Sequence, residues 1–302
     1  MALGPAELEQ WSSIGSLCGA GLILGFLAAA LSILGVVSVW VSRHPEEIRA
    51  LLHAAYNQPW LEPLRKRYRR EIAFLVRRFR PEGAFGLSFT AGLAALVAST
   101  CLFGVILEDV LARDEIAVFD APIVRFVAEN RVAWLTFVMK GVSQLGRAEF
   151  IIILTVAAGL YFHQRTGQWR PLLLLLAAAG GAGVLDLIAK LVIAQPRPPA
   201  VWMVVPATGY AFPSGHTTLS AVYFTLAHFS ARVRHTWRAK VFIYTVAVAI
   251  AFLIGVSRVY LGAHWPTDVV GGWALAVAWL AILLLTTSTI EASGLRSRNK
   301  KG

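Results

Sequence analysis

Residues 257–268 read SRVYLGAHWPTD, and a long apolar run lies on each side of them. Arg258, His264 and Asp268 therefore stand where the chain leaves one predicted membrane span and enters the next. Ionisable side chains at such positions are costly, so they are candidates for function by default. The stretch predicts two membrane helices joined by a short connection that holds candidate functional side chains.

The residue types in this connection suit a nucleophile and its partner. His264 is the only one of the three whose unperturbed pKa lies near neutrality, and Asp268 lies one helical turn further on. An acid at that spacing can orient an imidazole and stabilise its cationic form, while Arg258 offers a planar donor fork that suits phosphate. The alternative is a plain helix start after Pro266, with Asp268 in the positive first turn and Arg258 extended to the membrane surface.

The composition indicates an all-α polytopic membrane protein. The chain has 302 residues, of which 57% are hydrophobic, and several apolar runs reach about 20 residues, the length that spans a bilayer. The only two cysteines, Cys18 and Cys101, lie inside apolar runs, which excludes a disulfide framework or a cysteine metal site. The seven predicted spans are 14–41, 85–107, 150–162, 171–194, 216–230, 241–256 and one that follows Trp265.

The loops between these spans alternate in charge. A net charge of +11 could suggest nucleic acid, but basic cytoplasmic loops explain it better in a membrane protein, so no nucleic-acid partner is expected. The basic segments are 43–80, 163–170, 231–240 and the C-terminal tail. The segments without a basic bias are 108–146, 195–213 and 258–265. This alternation predicts an outside N-terminus, a cytoplasmic C-terminus and a site on the outer face of a bacterial inner or plasma membrane.

Two segments outside the spans have a character of their own. Residues 43–80 carry ten basic and four acidic side chains, which suits either an interfacial helix on anionic lipid at residues 61–80 or a solvated cytoplasmic linker. Residues 108–146 are mixed, and Asp120 before Ala-Pro resembles a helix start. We expect one or two amphipathic helices along the outer face there.

A second group of polar residues, Lys190 and Arg197, lies at the outer end of the fourth span. A point charge and a donor fork together suit an anion with several oxygens. The alternative is that both extend to the membrane surface. Asp186 lies four residues before Lys190, so the two can pair on one helix face, and we expect a structural ion pair.

A third group opens the fifth span at residues 212–216, which read FPSGH. Gly215 lets the backbone approach a ligand closely, and amides at a helix start bind anions. Ser214 can donate to an oxyanion or cap the helix, and His216 can give a proton to a leaving group. The alternative is a capping serine followed by an interfacial histidine.

The three groups share one predicted membrane face and together supply three cations, a hydroxyl, amides and two imidazoles. They include no set of paired carboxylates, so no metal and no cofactor are expected. The set fits phosphoryl transfer through a phosphohistidine, with cations in place of Mg²⁺ at the transition state.

These residues resemble the three-part signature of the type 2 phosphatidic acid phosphatase (PAP2) superfamily at every signature position. The three parts read Lys190-x6-Arg197-Pro198, Pro213-Ser214-Gly215-His216 and Ser257-Arg258-x5-His264-x3-Asp268. The resemblance covers residues 84–288 and implies a six-helix core. Around that core we expect an extra membrane helix at 1–42, a basic cytoplasmic arm at 43–83 and a basic tail at 289–302.

The resemblance also implies an activity, that of a membrane lipid phosphatase independent of Mg²⁺. It implies His264 as the nucleophile, Asp268 as its orienting partner and His216 as the proton donor. The implied phosphate-binding residues are Lys190, Arg197, Ser214, Gly215 and Arg258. Candidate substrates are undecaprenyl diphosphate, phosphatidylglycerol phosphate, phosphatidic acid and lipid A phosphate. A lipid phosphotransferase using the same site, or a non-catalytic transporter or scaffold, are the alternatives.

Overall fold

The computed structural model describes residues 5–47, 87–114 and 116–298, together with the single positions 50, 54, 58, 59 and 62. Within these residues every regular element is a helix, so the all-α prediction is confirmed. The predicted lipid-binding segment at 61–80, and nearly all of the basic arm, lie outside the described residues. The domain boundaries at 42, 83 and 288 stay predictions.

Ten α-helices and two short 3₁₀ helices make up the described fold. The α-helices are α1 (Pro5–Arg43), α2 (Leu87–Ala112), α3 (Asp120–Glu129), α4 (Ala133–Gln144), α5 (Ala148–Thr166), α6 (Arg170–Ile193), α7 (Gly215–Thr218), α8 (Ala221–Arg232), α9 (Trp237–Tyr260) and α10 (Pro266–Arg298). The 3₁₀ helices are Ala117–Phe119 and Ala200–Trp202.

The helices long and apolar enough to cross a membrane number five among the described residues, and α4 with α5 forms a sixth as a pair bent by 51°. The chain is therefore an integral membrane protein. The fifth predicted span, 216–230, is absent from this set because the structure divides it into α7 and α8. Of the one or two amphipathic helices expected at 108–146, the structure has two, α3 and α4, but α4 belongs to the bent pair.

Helices α9 and α10 occupy the centre of the bundle. Helix α10 packs along α2, α6 and α7, while α9 packs against α1, α4 and α8. Buried residues of α5, α6, α8 and α9 form the largest core cluster, which includes Ile151, Leu175, Val222 and Ile254. The connection at 261–265 consequently lies between the two central helices, where neighbouring elements can reach it from every side.

The extra N-terminal helix α1 packs against α9. Ile23 and Leu27 join a buried cluster with Tyr260 and Leu261, which brings α1 to the C-terminal end of α9. Near the opposite end, the Thr245 hydroxyl donates to Ser38 Oγ at 2.7 Å. The helix that falls outside the six-helix pattern thus supports the α9–α10 connection.

Candidate active site

The connection between α9 and α10 places His264 and Asp268 in contact, with His264 Nδ1 3.2 Å from Asp268 Oδ2. The same oxygen accepts the backbone N–H of Trp265 at 2.8 Å, as an acid three residues into a helix often does. Both side chains are buried. Asp268 therefore has both of the positions considered from the sequence: it caps the helix start and it contacts the imidazole.

Arg197 reaches the other nitrogen of the same ring. Its Nη1 lies 3.2 Å from His264 Nε2 and donates to the Ala263 carbonyl at 2.7 Å, and its Nε donates to the Gly209 carbonyl at 3.0 Å. A guanidinium has donors only, so Nε2 accepts and Nδ1 carries the proton toward Asp268. Arg197 is turned into the protein, which excludes the membrane-surface alternative for this side chain.

The surroundings of His264 favour its neutral form. Burial lowers the pKa of His264 well below its ordinary value, and the positive charges of Arg258 and Arg197 lower it further. A neutral imidazole with an unprotonated Nε2 is the state required of a nitrogen nucleophile.

Arg258 is buried at the end of α9 and points inward. Its Nη1 donates to the Ser143 hydroxyl at 2.7 Å, so the membrane-surface alternative is wrong here as well. Ser143 belongs to the last turn of α4. The sequence offered no sign of this partner, because a single serine in an amphipathic helix has no distinguishing pattern.

The segment that opens α7 lies against α10. The backbone N–H of Ser214 donates to the Asp268 carbonyl at 3.0 Å. Ser214 is fully buried and its hydroxyl makes no capping hydrogen bond, so the capping alternative is wrong. His216 packs closely on Gly146, where an added Cβ would lie 2.9 Å from His216 Cβ.

Lys190 and Asp186 form the expected ion pair, with Nζ 2.6 Å from Oδ2. The pair lies beside Gly215, where an added Cβ would be 2.9 Å from Asp186 Oδ2 and 3.1 Å from Lys190 Nζ. Glycine at this position therefore lets the ion pair approach the backbone closely, and a larger residue would displace it. Both charged side chains are mostly buried, so Lys190 does not extend to the membrane surface.

Several buried polar atoms have no hydrogen-bond partner within the part of the chain that the structure describes. Among the candidate site residues they are the donors Ser214 Oγ and Arg258 Nε and the carboxylate oxygens Oδ1 of Asp186 and of Asp268. An unsatisfied buried donor costs about 1–3 kcal/mol. An anion with several oxygens would satisfy both donors and lie among the three cations.

The described residues contain no group of three or more His, Cys, Asp or Glu side chains arranged to hold a metal ion. A cavity of about 470 Å³ lies beside the connection. Its lining is mostly apolar, with Val110 and Leu111 of α2, Ile193 of α6 and Trp265, but it also includes the charged Arg113 and Asp120. The site is thus polar at the histidines and mostly apolar beside them.

Comparison with known proteins places the candidate residues in a shared region. The PAP2 superfamily model matches residues 171–291, a range that contains all eight candidates. The chain is 34% identical over 187 residues to phosphatidylglycerophosphatase B of Bacillus subtilis strain 168, covering 59% of this chain and 88% of that protein. It is 31% identical over 181 residues to undecaprenyl-diphosphatase of Sulfolobus acidocaldarius, covering 58% and 80%.

A solved structure shares the fold. It is the crystal structure of the first transmembrane PAP2 type phosphatidylglycerolphosphate phosphatase from Bacillus subtilis, with a TM-score of 0.58 and 31% sequence identity. The match covers 65% of this chain and 96% of that chain. The similarity therefore extends over almost all of the solved protein.

Proposed function

The chain belongs to the PAP2 superfamily and is a membrane lipid phosphatase, and from this premise we propose that it works through a phosphohistidine on His264. Its substrate is a lipid phosphate or diphosphate at the outer face of the membrane. The observation that carries the proposal is the orientation of the His264 ring, whose Nδ1 contacts Asp268 while Nε2 faces Arg197.

In the first step, Nε2 of His264 attacks phosphorus and forms an N–P bond as the bond to the lipid oxygen breaks. His216, whose pKa is lowered to about 3 by burial and nearby cations in the protein without phosphate, takes up a proton as the phosphate dianion binds and gives that proton to the leaving oxygen. Asp268 holds the Nδ1 proton and stabilises the positive charge that develops on the ring. Arg197 moves its hydrogen bond from Nε2 to a phosphate oxygen, because the nitrogen lone pair is consumed.

In the second step, water attacks the phosphohistidine, and His216 accepts a proton from that water. The N–P bond breaks, inorganic phosphate leaves, and His264 returns to its neutral form. Throughout, Lys190, Arg197 and Arg258 stabilise charge on the phosphoryl oxygens, and the Ser214 hydroxyl donates to one of them.

Two observations support a lipid at the outer face. The mostly apolar cavity beside the connection has room for part of a hydrocarbon chain. The three segments without a basic bias, 108–146, 195–213 and 258–265, also meet at one end of the bundle. Arg131 of the first segment donates to the carbonyls of Trp202 and Tyr260 in the other two. The loops of the opposite end carry the basic bias that is typical of the cytoplasmic side, which supports an outer position for this end. The candidate substrates remain undecaprenyl diphosphate, phosphatidylglycerol phosphate, phosphatidic acid and lipid A phosphate.

The test combines a substrate panel with trapping of the intermediate. Detergent-purified protein should release phosphate from at least one of these lipids in excess EDTA, and vanadate should inhibit because it can adopt the geometry of a transferring phosphoryl group. Rapid quench should trap acid-labile phosphate on the wild type and none on His264→Ala. Trapped phosphate that persists in His264→Ala, or activity that EDTA abolishes and Mg²⁺ restores, would contradict the proposal.

A further inference from the structure

Asp120, the first residue of α3, is buried against the start of α10. Its Oδ1 accepts the backbone N–H of Thr267 at 3.1 Å, and its Oδ2 accepts the Thr267 hydroxyl. The first N–H groups of a helix have no partner within the helix. A carboxylate from a separate helix therefore caps α10 at the residue next to Asp268.

The charge on Asp120 is part of this contact. Burial raises the pKa of Asp120 to about 6, while the hydrogen bonds from Thr267 lower it and the nearby Asp109 raises it. Asp120 is consequently ionised at neutral pH and accepts with both oxygens. Asp109 in turn accepts the backbone N–H groups of Ile116 and Ala117 at 3.1 and 2.6 Å, which anchors the segment that leads into α3.

Arg131, just beyond α3, contacts the other end of the same connection. Its Nε donates to the Tyr260 carbonyl at 2.7 Å, and its Nη2 donates to the Trp202 carbonyl at 2.7 Å. The Tyr260 carbonyl belongs to the last turn of α9, where carbonyls lack partners within the helix. Gly262 follows with φ of 72°, and the Trp202 carbonyl leaves no room for a Cβ there.

Asp120 begins α3 and Arg131 lies just beyond its end. Their contacts therefore hold both ends of the connection that carries His264. We propose that Asp120 and Arg131 are positioning residues of the reaction, which set the direction of the His264 ring by holding the end of α9 and the start of α10. We call α3 with these two side chains the outer clamp. The inference rests on the proposed function, because it takes His264 as the attacking group.

The outer clamp should affect the rate more than the binding of phosphate. A displacement of about 1 Å in an attacking group can cost about 100-fold in rate. Under the proposed function Lys190, Ser214 and Arg258 bind the phosphate, and the clamp residues bond to none of these three. Losing the clamp should therefore lower kcat and leave the affinity for a phosphate analogue nearly unchanged.

The experiment measures kcat and KM with phosphatidic acid in detergent micelles, and the inhibition constant of inorganic vanadate, on the full chain. Asp120→Ala and Arg131→Met should lower kcat about 10–100-fold with little change in KM or in vanadate inhibition. Asp120→Asn and Arg131→Lys, which keep part of the hydrogen bonding, should recover most of kcat. The matched controls are Arg125→Met and Glu129→Gln, an exposed ion pair of 3.2 Å at the same helix, and both should leave kcat unchanged.

A second comparison covers the case in which a severe variant fails to fold. Thr267→Val removes only the hydroxyl that Asp120 accepts, so it should lower kcat in the same way. Adding Asp120→Ala to it should cost less than the two separate losses combined, since both remove one contact. Additive losses, or Asp120→Ala and Arg131→Met variants whose kcat matches that of the controls, overturn the inference.

Phosphoenzyme trapping separates this inference from the proposed function. If His264→Ala still traps phosphate, the proposed function fails. If that trap is lost but the Asp120 and Arg131 variants change KM and vanadate inhibition without changing kcat, only the outer clamp is wrong.

Discussion

His264 has a different partner on each ring nitrogen, and this difference separates the roles of its neighbours. Asp268 lies on the Nδ1 side and also accepts a backbone N–H, so it fixes the ring while it caps the helix. Arg197 lies on the Nε2 side, where phosphate would bind. Replacing Asp268 by Asn should consequently slow the reaction while leaving phosphate affinity largely intact.

His216 should behave as a proton donor rather than a nucleophile. His216→Ala should slow turnover of a lipid phosphate by a typical general-acid factor of about 10²–10⁴. The loss should shrink with p-nitrophenyl phosphate, whose leaving group needs no proton. Steady-state kinetics with the two substrates measure the difference. An equal loss with both would remove His216 from the proton-transfer step.

His264 should remain neutral in mildly acidic solution. Its pKa lies well below the ordinary 6.5 because of burial and neighbouring cations, and a lowered pKa in a base means that the neutral form persists as the pH falls. Nitrogen NMR of histidine-labelled protein, with His264→Gln to assign the signal, should show a neutral Nδ1–H imidazole at pH 5.5. An imidazolium signal there would contradict the described environment.

The break between α7 and α8 explains why the fifth predicted span is not one helix. The hydroxyls of Thr217 and Ser220 bond to carbonyls three residues earlier, at 2.8 and 2.6 Å. Such bonds compete with the helical ladder and bend helices. The break lies beside His216, so the same local chemistry that interrupts the span forms the helix start at the site.

Helix α1 should contribute stability through one face only. Leu27 is 7% exposed and packs in the cluster beneath Tyr260 and Leu261, whereas Leu22 on the same helix is 67% exposed. Leu27→Ala should lower stability by about 2–5 kcal/mol, while Leu22→Ala should have little effect. Thermal unfolding in detergent compares the two variants, and equal shifts would exclude the packing described for α1.

The two ends of the helix bundle contain different parts of the chain. At one end lie His216, His264, the outer clamp and the loop 195–213. At the other, the Trp237 indole donates to the Val41 carbonyl at 3.0 Å, which joins the beginning of α9 to the end of α1. Segments that the charge pattern assigns to one side of the membrane thus lie at one end of the bundle.

Cysteine labelling tests which end is outside. In a protein whose Cys18 and Cys101 are replaced by Ala, Val201→Cys should react with an impermeant thiol reagent added to intact cells, and Val233→Cys should not. The two positions are matched controls, being 85% and 60% exposed in opposite loops. The reverse pattern would overturn both the topology and the outer-face site.

The sequence by itself determined the helical membrane class and the candidate residues. The length of an apolar run indicates a membrane span directly, because the thickness of the hydrocarbon core sets how many residues a helix needs to cross it. A four-residue spacing on a helix brings Asp186 and Lys190 to one face, and His264, two residues before the predicted helix start, lies within reach of Asp268 in the first turn, so both pairings could be read from the chain. Signature spacing then identified the family.

The contacts that cross between elements were decided only by the tertiary structure. Ser143 bonds to Arg258 across 115 residues, Arg131 to Tyr260 across 129, and Asp120 to Thr267 across 147. No periodicity links such positions, because their proximity arises from how α3 and α4 pack against α9 and α10. The same packing leaves Ser214 and Arg258 with unpaired donors, since burial and the lack of a partner are properties of the assembled bundle.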